Sequence, residues 1–250
     1  LHKAIRRQRQ MCIRDRSNSS LYKLKINATQ ISLLDRLICS QFHTYLGQKL
    51  WGMRKKYSHT IFIDLRKSEE ELLQDCKSNT RNEVRRAIRE EFFFEPVASK
   101  VDFVEFYNKF AEEKNIEQIS LSHLNKYGPN ILLYQSGKNG VVMTMHATMV
   151  DPESKFSMLL YSASVRLDQG VDKKDVGFSN RFLHYREFVE FKSLGYETYD
   201  FSGVCIDPND KARYSIGQFK SSFGGTETDT LMLFSYPFVI ANFIKSILGK

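Results

Sequence analysis

The sequence predicts a mixed α/β fold: one sheet of parallel and antiparallel strands with helices on both faces. Three observations carry that prediction. The element order reads strand, two helices, a meander of three strands, helix, strand, helix, strand. The meander is pinned by an Asn139-Gly140 hairpin turn between alternating apolar runs. The last third runs from a helix through Gly195 to a short strand ending at Asp200, then to an aromatic-flanked Lys220 and a Gly224-Gly225 turn. A mixed sheet covered on both sides buries all of these apolar faces together.

Each element has a local reason. Between residues 21 and 55, Ile31, Leu33, Leu34, Leu37, Ile38, Phe42, Tyr45 and Leu46 fall at loosely helical spacing, too little for a complete domain. Residues 60–65 alternate as a strand does. Ser68 followed by Glu71 is a capping box, which predicts a helix over 68–91 with Leu72, Leu73, Cys76, Val84, Ala87 and Ile88 on its buried side. Residues 92–95 read as a short strand closed by Pro96. Residues 102–114 read as a helix with Phe103, Phe106, Phe110 and Ala111 on one face. Strands follow over 131–135, 141–150 and 156–165, a helix over 178–192, a strand over 196–201, a short helix over 216–222 and a strand over 226–234. Residues 237–248 read as a terminal helix, and the Phe, Ile and Leu of 231–248 favour a core position over a membrane-surface helix.

A chain of 250 residues, 42% hydrophobic and 26% charged, holds one large domain or two small ones. Its net charge of +8 hints at a polyanionic partner. The four cysteines form no CxxC pair, which favours a reducing cytosol. No signal peptide is evident, and no apolar run reaches the roughly 18 residues that a membrane span needs. Residues 11–16, Met-Cys-Ile-Arg-Asp-Arg, look like translated sequencing adapter, so 1–16 are set aside as non-native. Residues 17–59 are then a remnant or part of a first domain, 60–236 the main domain and 237–250 a C-terminal helix.

The ordered set from the 178–192 helix through Gly195, Asp200, Ser202-Gly203 and Phe219-Lys220 to Gly224-Gly225 resembles the C-terminal core of Fem-type transferases. These are GNAT-fold enzymes that add amino acids to peptidoglycan precursors, and the resemblance extends back to Thr60. It implies a GNAT-like fold, one complete copy here where full Fem-type enzymes have two in tandem. It also implies that Phe219-Lys220 matches an active-site Phe-Lys pair, and that Tyr127 and Tyr161 fall where substrate-contacting tyrosines lie. The usual arginine four residues before that first tyrosine is His123 here.

The residues themselves carry chemistry that fits. An ammonium at Lys220 would stabilise the oxyanion of acyl transfer, and Phe219 would exclude water, although a surface lysine covering aromatic rings is the plainer reading. Asp200 would orient an amine or accept its proton, or simply cap the turn at Ser202-Gly203. Lys77, Arg81, Arg85 and Arg89 recur at i+4 and make a stripe fit for phosphates or a solvated helix face. Asn180, Arg181 and Tyr185 would open the helix near Gly177, where free N–H groups bind anions. The glycine-rich pyrophosphate loop of acyl-CoA enzymes is absent; Gln169-Gly170 and a lone Gly177 stand instead. None of the six histidines shows HExxH or paired metal spacing, so no metal is expected.

Three functions follow. The first is a Fem-like aminoacyl or N-acyl transferase acting on an amine of a lipid-linked or sugar-linked envelope precursor. It would need no bound cofactor, with aminoacyl-transfer RNA as donor. It would work in the cytoplasm, with peripheral contact at the inner face of the plasma membrane. The second keeps the fold but takes acetyl-CoA or another acyl-CoA. The third is a non-catalytic module that binds RNA or an anionic membrane.

Overall fold

The computed structural model describes residues 22–25, 33–37, 39–45, 52–165 and 170–247. Residues 1–16 and Gln169 lie outside these. In chain order the elements are β1 (Tyr22–Lys25), α1 (Leu33–Leu37), β2 (Cys39–Tyr45), β3 (Met53–Asp64), α2 (Glu69–Asp75), α3 (Ser78–Arg89), β4 (Phe93–Pro96), α4 (Lys100–Lys114) and α5 (Leu121–Asn125). A 3-10 turn follows at Gly128–Asn130, then β5 (Ile131–Lys138), β6 (Val141–Asp151), β7 (Phe156–Ser164), α6 (Lys173–Ser193), β8 (Thr198–Asp200), α7 (Lys211–Ser221), β9 (Thr226–Ser235) and α8 (Tyr236–Ile247).

The chain divides into two compact units, one holding the described residues up to Thr60 and from Thr228 onward, the other residues 61–227. In the first, β1 runs parallel to β2 and β2 pairs antiparallel with β9. The helical spacing expected over 21–55 is corrected among the described residues: Leu33–Leu37 is helical and Phe42 and Tyr45 belong to a strand, while Ile31, Ile38 and Leu46 lie outside the described residues. Phe42-His43-Thr44-Tyr45 is aromatic and β-branched, which suits a pleated surface. The core position expected over 231–248 holds for Leu231 and Leu233 of β9, which are buried, but in α8 Tyr236, Ile240, Phe243 and Ile247 are each more than half exposed.

In the second unit the strands lie in the order β3-β8-β7-β6-β5-β4. Every neighbouring pair is antiparallel except β7 and β8. The β5–β6 hairpin turns at Asn139 (φ 53°) and Gly140 (φ 76°), both left-handed as a two-residue hairpin requires. On one face, α2, α3 and α6 bury Leu72, Cys76, Val84, Leu183, Phe188 and Phe191 against strand residues. On the other, α4 and α5 bury Phe103, Tyr107, Ala111 and Leu124 against Ile131, Met145, Ala147 and Ala163.

Several boundaries differ from expectation: β3 begins at Met53 rather than at 60, and α7 begins at Lys211 rather than near 216. Two further helices change more. The helix over 68–91 is two helices, because Cys76 and Lys77 are extended (ψ 140° and 149°). The chain is pinned there: Lys77 N donates to the Ser222 carbonyl at 2.8 Å, and a side chain at Gly224 would collide with the Asp75 carbonyl. The capping box at Ser68 forms as expected, while Ile88 is half exposed rather than buried. Helix α6 begins at Lys173, not near Gly177, because the Asp172 side chain caps it by accepting from Lys174 N.

Candidate active site

The parallel pair of β7 and β8 ends where the candidate residues gather. Its ladder joins Phe156 to Thr198, Ser157 to Tyr199 and Met158 to Asp200. There β8 stops, while β7 continues to Ser164 through an irregularity that pairs Ala147 with Tyr161 and Thr148 with Leu159. Ligands of α/β sheets bind outside such strand ends.

Asp200 is buried, and its Oδ1 accepts from Ser202 N at 2.7 Å. That bond holds Ser202 in the left-handed region (φ 58°). Asp200 therefore caps the turn, the plainer of its two expected roles. Helix α7 is capped by Asp210, whose carboxylate accepts from Arg213 N. One face of it lies hard against the 204–205 segment, where only glycine fits: a Cβ on Gly217 would sit 2.9 Å from the Cys205 carbonyl oxygen. Nearly one turn later Lys220 reaches back, and its Nζ donates to the carbonyls of Ser202 at 3.0 Å and Gly203 at 2.9 Å. Burial pulls the Lys220 ammonium down to about 8, against the opposing pull of the Asp200 charge. An ammonium has three N–H donors, so two bonds to carbonyls leave one to offer.

Phe219 packs edge-on to Phe223 at 5.3 Å and tilted to His184 at 5.7 Å between ring centroids. The Arg181 guanidinium lies 5.1 Å from its centroid and pairs with Glu83 at 3.0 Å. Neither Arg181 nor its neighbours open the helix. Asn180 and Tyr185 lie inside α6, where backbone N–H groups are already used, so the anion-binding expectation is corrected. Tyr185 is buried and its hydroxyl donates to the Glu69 carbonyl at 3.3 Å. Asn180 Oδ1 meets His146 Nε2 at 3.1 Å.

That last contact belongs to a buried polar seam between β6 and α6 which the sequence reading missed. Thr144 and Ser179 share a hydrogen bond of 2.8 Å. Glu187, fully buried, faces His146 Nδ1 at 2.9 Å and accepts from Tyr199 OH at 3.1 Å and Thr148 Oγ1 at 3.2 Å. The His184 ring lies tilted against His146 with centroids 4.2 Å apart, and its Nδ1 lies 3.4 Å from the Tyr199 hydroxyl. Burial first, then the charges of His146, Lys220 and Arg181, hold His184 well below the usual imidazole range. A signal was present in the sequence. Thr144, His146 and Thr148 alternate along an otherwise apolar strand, and Asn180, His184 and Glu187 fall at i, i+4 and i+7 of a helix.

The two tyrosines come together through His123. Its Nε2 lies 3.0 Å from the Tyr161 hydroxyl, and its ring meets Tyr127 edge-on at 5.8 Å. Tyr161 also packs on Tyr107 at 5.1 Å, and burial raises its phenol. On α3, Arg81 is half-buried with Nη1 bonded to the Gln74 carbonyl and side chain, while Arg85 is exposed. Lys77 caps the helix rather than continuing it.

No protein-family model matches the chain, and no curated protein matches it in sequence. Solved structures do share its fold. FemX superposes with a TM-score of 0.66 at 12% identity, over 92% of this chain and 85% of that one. L-PGS from Bacillus licheniformis gives 0.55 at 10% identity, over 94% and 85%. The C-terminal domain of a putative lysylphosphatidylglycerol synthetase from Agrobacterium fabrum gives 0.51 at 14% identity, over 83% and 70%. At these identities the likeness is one of fold: a mixed sheet with helices on both faces.

Proposed function

We propose that the chain is a Fem-like transferase that moves an aminoacyl or acyl group onto an amine of a cell-envelope precursor. The observation that carries this reading is Lys220, held by two carbonyls at the end of β8 with Phe219 beside it, on a fold shared with FemX. In the reaction the acceptor amine attacks the donor ester carbonyl, whose oxygen becomes an oxyanion. The remaining Lys220 N–H stabilises that charge in a site shielded from water. Collapse forms the amide bond, breaks the ester C–O bond and leaves the donor hydroxyl, which takes the proton lost by the amine. The donor is aminoacyl-transfer RNA, the acceptor lipid-linked, and the work is done at the inner face of the plasma membrane. FemX and the lysylphosphatidylglycerol synthetase domain among the fold neighbours support envelope substrates.

The test is transfer of labelled amino acid from charged transfer RNA to a lipid-linked precursor. Lys220→Ala should cut turnover roughly 100- to 1,000-fold, the scale of losing one oxyanion donor, with little change in melting temperature. Lys220→Arg should restore only part, since it keeps the charge and alters the geometry. A fully active Lys220→Ala protein refutes the catalytic role of Lys220, whereas a wild type that binds transfer RNA or anionic vesicles and transfers nothing favours a binding module. Tight acetyl-CoA binding by calorimetry, with no transfer from charged transfer RNA, moves the reading to an acyl-CoA donor.

A further inference from the structure

The transferase reading leaves the seam between β6 and α6 without a task, yet it holds the most concentrated buried polarity among the described residues. His146, His184 and Glu187 are all buried, and one ligand-type atom from each lies within 4.8 Å of the others. We propose that these three side chains bind one divalent transition-metal ion of the zinc class, a site that staples β6 to α6.

Geometry is the first argument. Glu187 Oε2 lies 2.9 Å from His146 Nδ1, 3.8 Å from His184 Nδ1 and 3.1 Å from the Tyr199 hydroxyl, which is itself 3.4 Å from His184 Nδ1. Four donors placed about 2.0–2.1 Å from a tetrahedral ion stand roughly 3.3 Å from one another. These four spacings straddle that value, and the three ligand-type atoms lie within 4.8 Å of one another, so the two rings must close onto Glu187 to share an ion, with the Tyr199 hydroxyl beside it. Two imidazoles and one carboxylate are also a ligand set that zinc accepts.

The second argument is the shell around the three side chains. His146 Nε2 meets Asn180 Oδ1 at 3.1 Å, on the side of the ring away from Glu187. Asn180 then fixes the ring from its far side, as outer-shell partners of ligating histidines do, and Thr148 steadies the other Glu187 oxygen. The ion would also fix the His184 ring against Phe219, next to Lys220.

The proposal stands apart from the transferase reading and is tested without activity. Chelator-stripped full-length chain is titrated with Co2+, watching for the visible bands of a four-coordinate site, then with Zn2+ by competition and by thermal melting. One ion per chain is expected, with cobalt displaced by zinc and the melt raised by zinc. Asn180→Ala should weaken binding about 10- to 100-fold, His184→Ala and Glu187→Gln should abolish it, and His59→Gln should leave it unchanged. Stripped wild-type chain that takes up no cobalt and melts alike with and without zinc overturns the proposal. So does binding that survives both ligand substitutions. If those two variants do not fold, the wild-type titration and Asn180→Ala decide. Nitrogen NMR of the wild type with excess zinc is a further check: a doubly protonated His146 ring would assign the seam to a proton-linked ion pair and overturn the metal.

Discussion

The two faces of β6 differ in what their residues ask of a partner. Met145 and Ala147 point to one side and pack with Ala163 against Phe103, Tyr107 and Ala111. Thr144, His146 and Thr148 point to the other and are matched one by one to Ser179, Asn180 and Glu187 on α6. Apolar burial is non-directional and scales with area. Polar burial is costly unless each group finds its own mate. The first face holds the helix down; the second fixes where along the strand it sits, since a slip of one turn would orphan every donor in the seam.

The largest effect expected from breaking this comparison lies on the apolar face. Phe103 is fully buried, and Phe103→Ala should cost about 3–5 kcal/mol, the range for removing a buried aromatic ring, read as a lower urea midpoint. A loss under about 1 kcal/mol would mean that α4 collapses onto the cavity and that this face is more adaptable than its packing implies.

A smaller, sharper test sits on the polar face. Thr144→Val leaves the buried Ser179 hydroxyl without its mate and should cost about 1–3 kcal/mol. Adding Ser179→Ala removes both partners and should recover most of that loss. If the two costs instead add, the pair is not what couples strand to helix, and the contrast between the faces weakens.

The difference between the faces also explains what could be read from the sequence. The apolar face declares itself by periodicity, so the 131–165 meander and the helix bearing Phe103 and Ala111 follow directly from residue spacing. The Asn139-Gly140 turn was equally legible, because positive φ leaves few residue choices. The break at Cys76-Lys77 was not, since it is imposed by Ser222 and Gly224 from far along the chain. Lys220 was singled out by its aromatic neighbours, but its two carbonyl partners depend on the turn that Asp200 builds. His146 and Glu187 escaped because a pair made across a strand and a helix leaves no local spacing motif, only two separate periodic patterns that must be laid side by side.

The last prediction concerns Lys220, where polar partners and a charge meet, and its expected effect is the smallest. Its ammonium, lowered to about 8 by burial, is the form that stabilises an oxyanion. Turnover should therefore be level below that pH and fall about tenfold per unit above it, as the proton is lost. The Asp200 charge favours the ammonium, so removing it must move the falling limb to lower pH. Asp200→Asn is the suitable change, because the amide oxygen still accepts from Ser202 N and preserves the turn. At pH 8 the variant should run roughly two-fold slower than wild type, while at pH 6.5 the two should converge. Added salt should narrow the gap, as it screens the pair. A wild-type rate that rises toward pH 8 would make the neutral amine the working form and turn Lys220 into a base. A limb that moves upward in Asp200→Asn would show that the aspartate acts on the turn alone.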